Sequence, residues 1–197
     1  MASVVALPDT GTLEDMELEI RKAGMRDIQP LLQLINNYAT QGIMLPRTEF
    51  EMSENIRDFT VAYSGAHLVA CGALHFYTPT AAEVRSLAVD PGLKTRGLGR
   101  RIVEALESEA IDNELHALFA FTYAPEFFRR VGFQVVERGE LPLKVWKDCL
   151  RCSKFQCCDE IPMLKALRPD PVLHYPVVLS EHADPETALI QLPQLKQ

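Results

Sequence analysis

Four basic side chains (Lys94, Arg96, Arg100 and Arg101) and two glycines (Gly97 and Gly99) fall within eight consecutive residues of a chain whose net charge is -7. The run VDPGLKTRGLGRRIVEAL (89–106) ends in a helical pattern, with Ile102, Val103, Leu106 and then Ala110 on one face. A strand, a glycine-bearing turn and a helix N-terminus place unpaired backbone N–H groups and the positive end of the helix dipole toward one point, where an anion binds well. Gly97 and Gly99 let the backbone approach such a ligand closely. Two phosphate motifs are excluded. The Walker loop needs Lys-Ser or Lys-Thr after its last glycine, and the dinucleotide fingerprint needs a third small residue where Ile102 stands. The residues alone leave two readings open: an anion loop, or a basic turn that only joins strand to helix.

The cysteines are the next chemistry-bearing group. Cys149, Cys152, Cys157 and Cys158 form C-x2-C-x4-C-C. Structural zinc sites use two separated cysteine pairs, and the adjacent Cys157 and Cys158 are too cramped for that. No metal is expected, and the thiols are read as small apolar groups, with Cys71 in the core.

Composition narrows the class. A chain of 197 residues, 47% hydrophobic and 24% charged, suits one globular domain. No run of 18 apolar residues is present, and the first residues lack a basic-then-apolar leader, so no membrane partner and a cytoplasmic location are expected. The acidic balance argues against nucleic acid as a partner. Whether the chain is monomeric or a homodimer is left open.

Elements able to position the loop follow from periodicity. Residues 1–16 read as an arm, 17–167 as the folded domain and the proline-punctuated 168–197 as a tail. ELEIRKA (17–23) reads as a first strand. Asp27 is expected to cap a helix through IQPLLQLINNYATQG, ended by Gly42. Thr48 and Glu51 suit a capping box for a helix over EFEMSENIRDF. FTVAYS and HLVACGALHFY read as a hairpin about Gly65, and AAEVRSLAVD as a further strand. After the long helix come a strand over 114–123, a short helix PEFFRR opened by Pro125, and a strand FQVVER. LPLKVWKDCL is read as helical. A last strand falls in CDEIPMLKAL, which Pro162 would confine to an edge or a bulge. Strand alternation puts Glu83, Arg85, Leu87 and Val89 on one face.

KTRGLG (94–99) resembles the Q/R-x-x-G-x-G/A acyl-CoA loop of the GNAT superfamily, the Gcn5-related N-acetyltransferases. AEVRSLAVDPGLKTRGLGRRIVEAL resembles its fourth strand, loop and third helix, and FFRRVGF its YxxxGF element. GIMLPRT, IRDFTVA, CGALH, EVRSLAV and LFAFTY are similar to the acetyltransferase domain of N-acetylglutamate synthases, which open arginine biosynthesis. The resemblance implies an α/β fold, with a central, mostly antiparallel mixed sheet flanked by helices. It implies acetyl-CoA as cosubstrate, a free amino acid (glutamate first) as acceptor, and direct attack on the thioester. The pantetheine arm would lie along Leu87, Ala88 and Val89, where the fourth and fifth strands splay. The pyrophosphate would sit on Lys94, Thr95, Arg96, Gly97, Leu98 and Gly99, with Arg100 nearby. Glu83 stands at the position of the base, and Leu45 and Arg47 in the segment that binds the substrate, Arg47 on its α-carboxylate. Arg85 and Lys144 are placed on the substrate side as well. No amino-acid-kinase-like segment precedes the domain, so feedback by arginine through one is not expected.

Independent chemistry allows these roles, although from the residues alone Glu83 could equally be a surface strand residue or pair with Arg85. An α-ammonium must lose a proton before it attacks, which calls for a base. Arginine's planar fork suits a carboxylate, whereas a cation at a helix start is poorly placed against the dipole. Three departures from the family stand out. Phe128 replaces the tyrosine of YxxxGF that protonates the leaving thiolate. Ala124 stands where synthases carry a serine, and the adjacent Tyr123 is taken as the acid. Cys157 and Asp159 occupy positions that hold the substrate's side-chain carboxylate. An Asp159 facing the pocket would repel glutamate and make glutamine the alternative.

Overall fold

A computed structural model describes residues 17–141, 154, 157–171 and 173; for Thr95 only the backbone is described. Among these residues the elements run β1 (Leu18–Lys22), α1 (Ile28–Ala39), α2 (Glu49–Asn55), β2 (Phe59–Ser64), β3 (His67–Thr78), β4 (Ala81–Val89), α3 (Leu98–Asp112), β5 (Ala117–Thr122), α4 (Pro125–Arg130), β6 (Gln134–Val135) and β7 (Ile161–Ala166). The described strands form one sheet in the order β1-β2-β3-β4-β5-β7-β6. All pairs are antiparallel except β4 with β5, which α3 connects. The expected mixed, mostly antiparallel architecture is the one observed.

Helices cover both faces because the strands are apolar on both. Ile28, Leu31, Leu34, Ile35 and Tyr38 recur at helical spacing along α1 and pack with Met52, Phe59, Val61, Cys71 and Ala73 on one face. Burial there pushes the Cys71 thiol up to about 12, as expected of a core cysteine. On the other face Ile102, Val103, Leu106 and Ala110 of α3 pack with Leu74, Val84, Leu118, Phe128 and Phe133. Phe128 is thus a core ring, edge-on to Phe127 and Phe133.

The Thr48–Glu51 capping box is present in both directions, at 2.9 and 3.3 Å. The helix it starts ends at Asn55 and tightens into a 3-10 turn at Ile56–Asp58, earlier than the sequence suggested. Asp27 does not cap α1 through its side chain. Its buried carboxylate turns back instead to Gly24 N–H (2.8 Å), the Arg21 guanidinium (2.7 and 2.9 Å) and the Tyr63 hydroxyl (2.9 Å). The Arg21 hydrogen bonds, aided by those of Gly24 and Tyr63, outweigh desolvation and hold this carboxyl well below the usual range. Asp27 therefore clamps β1, β2 and the start of α1.

Three further expectations are corrected. The strand over 114–123 begins only at Ala117, and FQVVER contributes just Gln134 and Val135. β7 is not an edge strand, because it lies between β5 and β6. Pro162 is tolerated there because its carbonyl accepts from Val136 N–H, so its missing N–H also faces the short β6 rather than β5. The helix proposed over 141–150, the arm at 1–16, Lys144, Cys149 and Cys152 lie outside the described residues, as does most of the tail.

The alternation along β4 also differs. Arg85 pairs with Ala73 and Ala88 with Cys71, so Ser86 and Leu87 together oppose Gly72. Ser86 takes φ 52°, a left-handed conformation rare for a residue with a Cβ. This bulge reverses the facing of everything after it. Ala82, Val84, Leu87 and Val89 all pack toward α3, whereas Ala88 packs toward α1. Glu83 and Arg85 therefore do not share a face with Leu87 and Val89.

Candidate active site

β4 and β5 are paired only over Ala81–Glu83 and Ala117–Phe119. Beyond that level β4 continues past its bulge while β5 stays paired with β7 and leads into α4. A cleft of about 1220 Å³ opens between them. Its walls are Glu83–Val89 on one side and Phe121–Ala124, Phe127, Phe128 and Val131 on the other.

At one end stands the glycine loop. Asp90 accepts Gly92 N–H at 2.8 Å and starts the 3-10 turn Pro91–Arg96. Gly97 then takes φ 75°, which lets the chain enter α3 directly. The first N–H groups of that helix have no partner in its own ladder, and Gly97, Gly99 and Arg100 line the cleft at that point. Lys94 lines it too, its Nζ 4.8 Å from the Tyr38 ring centroid, and the Tyr38 hydroxyl donates to Val89 O at 2.5 Å. Arg100 donates to Arg130 O at 2.8 Å, tying α3 to α4. The Leu98 side chain is buried in the core and Arg96 is not a cleft-lining residue, so only their backbone could serve an anion here. Gly99 has a packing reason as well: a Cβ there would stand 3.2 Å from the Phe127 ring.

At the other end lie the residues expected on the acceptor side. Glu83 is 1% exposed yet lines the cleft. His75 faces it across the ladder, and its Nδ1 lies 2.5 Å from Asp58 Oδ2. Arg85, also buried, directs Nη2 to within 3.5 Å of Asp58 Oδ2 and of Asn55 Oδ1. Leu45 and Arg47 both line the cleft. Asn36 of α1 holds the backbone at Arg47 with a pair of bonds, Nδ2 to Arg47 O at 2.9 Å and Arg47 N to Oδ1 at 2.8 Å. Asn36, Asp58 and His75 were missed from the sequence, where nothing but an unremarked polar residue marks each of them.

Tyr123 is 40% exposed at the cleft wall. Its hydroxyl donates to Asp159 Oδ1 at 2.7 Å and accepts from Lys154 Nζ at 3.1 Å. Partial desolvation and the Asp159 bond raise this phenol above its ordinary value, against the opposing effect of Lys154, so it stays protonated at neutral pH. Asp159 is occupied by Tyr123 and by Lys154 at 3.1 and 3.2 Å, and it does not line the cleft. The pocket-facing carboxylate feared for glutamate is therefore not Asp159. Cys158, Glu160 and Arg138 line that stretch instead.

Residues 55–135 match the acetyltransferase (GNAT) domain family. An uncharacterised N-acetyltransferase of Chlorobaculum tepidum is 38% identical over 148 residues, 75% of this chain and 96% of the relative. This chain belongs to the GNAT acetyltransferase family. A GNAT relative from Mycobacterium tuberculosis, called an amino-acid acetyltransferase, is 33% identical over 67% of this chain and 77% of its own length. Among solved GNAT structures, N-acetylglutamate synthase from Neisseria gonorrhoeae, complexed with coenzyme A and N-acetyl-glutamate, superposes with TM-score 0.70 at 27% identity. That match covers 77% of this chain but 35% of the synthase, so this GNAT chain spans about a third of it. A Mycobacterium tuberculosis protein solved with CoA superposes with TM-score 0.66 at 29% identity, over 76% of this chain and 99% of its own. The GNAT fold and an N-acetyltransferase activity are therefore assigned. Among the described residues no group of three or more metal-ligating side chains occurs, and no helix is long and apolar enough to cross a membrane.

Proposed function

We propose that this N-acetyltransferase acetylates the α-amine of a free amino acid, L-glutamate first, using acetyl-CoA, as N-acetylglutamate synthases do at the start of arginine biosynthesis. The observation that carries the reading is one continuous cleft joining the first turn of α3 to a buried carboxylate, Glu83, with Arg47 on the same wall system. The pyrophosphate of acetyl-CoA would meet the N–H groups of Gly97 to Arg100, with Lys94 and Arg100 adding charge. The pantetheine arm would lie along Leu87–Val89, whose outer edge β5 leaves open. Relatives named amino-acid acetyltransferase and the synthase solved with N-acetyl-glutamate support the acceptor class.

Arg47 would pair the α-carboxylate and present the amine to Glu83, which accepts a proton from the ammonium directly or through water. The neutral amine attacks the thioester carbonyl, an N–C bond forms, and the C–S bond of the tetrahedral intermediate breaks. The departing thiolate takes a proton from the Tyr123 hydroxyl, and the second proton shed by the acylated nitrogen returns through solvent to the phenolate. Phe128 has no proton to give and is spent on the core.

The test is thiol release from acetyl-CoA by the purified chain across a panel of free amino acids. Turnover with glutamate well above the rate without acceptor is expected. Release that no amino acid stimulates would overturn the reading and leave an acyl-CoA-binding module or a different amine acceptor.

A further inference from the structure

Resting on the amino-acid reading above, we propose that Arg138 is the specificity residue of the cleft and selects an acceptor with a side-chain carboxylate. Arg138 opens the turn after β6 and lines the cleft. Its guanidinium lies over the Phe121 ring, 5.0 Å from the centroid. Nη2 donates to Glu160 O at 3.1 Å and stands 3.5 Å from Cys158 Sγ. A stacked face and one anchored corner fix the plane of the group before any ligand arrives. Among the described residues Nε and Nη1 take no hydrogen-bond partner, so donors of the fork remain available.

The position fits the length of an amino acid. Glu83 pairs with Phe119, so Phe121 lies one strand over and two residues further along, on the Phe119 face. Ordinary strand spacing and rise separate those two points by about 8 Å. An acceptor with its amine at Glu83 and its α-carboxylate at Arg47 would extend its side chain toward the Arg138 guanidinium. Of the two carboxylates nearby, Asp159 is taken by Lys154 and Tyr123 and does not line the cleft, whereas Glu160 lines it with Oε2 3.9 Å from Cys158 Sγ, so the Arg138 fork is the group there that attracts an anion. A carboxylate offers two acceptor oxygens to the fork, whereas an amide offers one oxygen and turns an NH2 toward a group made only of donors. The cleft should therefore distinguish glutamate from glutamine by charge and hydrogen-bond type rather than by size.

The experiment compares wild type, Arg138→Gln and Arg138→Lys in two ways. One is kcat/KM for L-glutamate and L-glutamine with saturating acetyl-CoA. The other is calorimetric binding of each amino acid to the CoA-loaded chain. In Arg138→Gln, kcat/KM for glutamate should fall tenfold or more while that for glutamine changes less than threefold. Arg138→Lys, which keeps the charge but loses the fork, should recover part of the difference. An equal fall for both acceptors would mean an α-carboxylate or purely structural role and overturn the proposal. So would an effect confined to acetyl-CoA, no effect at all, or a wild type that prefers glutamine. A wild type that transfers to no amino acid but binds glutamate through Arg138 would sink the proposed reaction and leave this assignment standing. A wild type that binds neither amino acid would end both.

Discussion

At the residue scale the proposed chemistry turns on Glu83 and its protonation task. Glu83→Gln keeps the shape of the side chain and removes the base, so turnover should fall by about 10²–10⁴-fold with acetyl-CoA affinity nearly constant. Raising the pH toward the amine's own pKa should recover much of the loss, because the substrate then arrives neutral. Arg47→Ala should instead raise the amino-acid KM, and pH–rate profiles of both variants separate the two roles. Wild-type turnover in Glu83→Gln at neutral pH would send the search for a base elsewhere. Tyr123 makes a second, smaller prediction. A thiolate leaves readily, so Tyr123→Phe should cost only about tenfold in turnover, below the usual range for a general acid. Because the phenol is raised, it remains a proton donor as pH rises, and activity should show no alkaline loss from its ionisation below about pH 10. A Tyr123→Phe enzyme whose alkaline limb disappears would contradict that.

At the element scale the loop and the β1–α1 clamp can be tested separately. Gly97 and Gly99 are glycines for different reasons, so their variants should differ. Gly97→Asp adds a carboxylate beside the proposed pyrophosphate site and should weaken CoA binding tenfold or more, about 1.4 kcal/mol by calorimetry. Gly99→Ala instead sets a methyl 3.2 Å from the Phe127 ring, a crowding offset by alanine's helix preference of about 1 kcal/mol, so the net loss of stability should be at most about 1 kcal/mol. Phe127→Leu in the same chain should relieve part of that loss in denaturant titrations; additive losses would mean that the contact is not the cause. Asp27→Asn removes one partner of an ion pair whose other member, Arg21, is partly exposed. Its cost at neutral pH should be about 2–3 kcal/mol, below that of a fully buried pair. The sign with pH follows from the lowered Asp27 carboxyl. Its stabilisation is complete above about pH 4, the unfolded value, and is lost as pH falls through the lower folded value. The stability gap between wild type and Asp27→Asn should therefore narrow on acidification, and a gap constant down to pH 2 would exclude the clamp as an ionic one.

At the scale of the whole molecule, the C-x2-C-x4-C-C run predicts that no stoichiometric metal is required. Elemental analysis of untagged protein should find far less than one zinc per chain. One zinc per chain, lost together with folding on chelation, would overturn this.

Much of the architecture was legible in the chain because it depends on local rules. Helical spacing in α1 and α3, the Thr48–Glu51 box, the hairpin about Gly65 and the glycine-bearing turn before α3 are each written within a few residues. The glycine loop at one end of the cleft was likewise legible, since a turn leading into a helix N-terminus is a property of contiguous sequence. Only the tertiary structure decided what depends on partners distant in the chain. The Ser86 bulge, visible in the β3 register and not in the period of β4, turned Leu87 and Val89 away from the Glu83 face. Asp58 reaches both His75 and Arg85, Asp159 is claimed by Lys154 and Tyr123, and Arg138 lies on Phe121 and Glu160, because the sheet order brings β3, β4, β5 and β7 together. Side-chain type and spacing specify what a residue is able to do. Which carboxylate faces the cleft and which is neutralised behind its wall is an outcome of packing, since a charge takes the partner that the fold puts within reach.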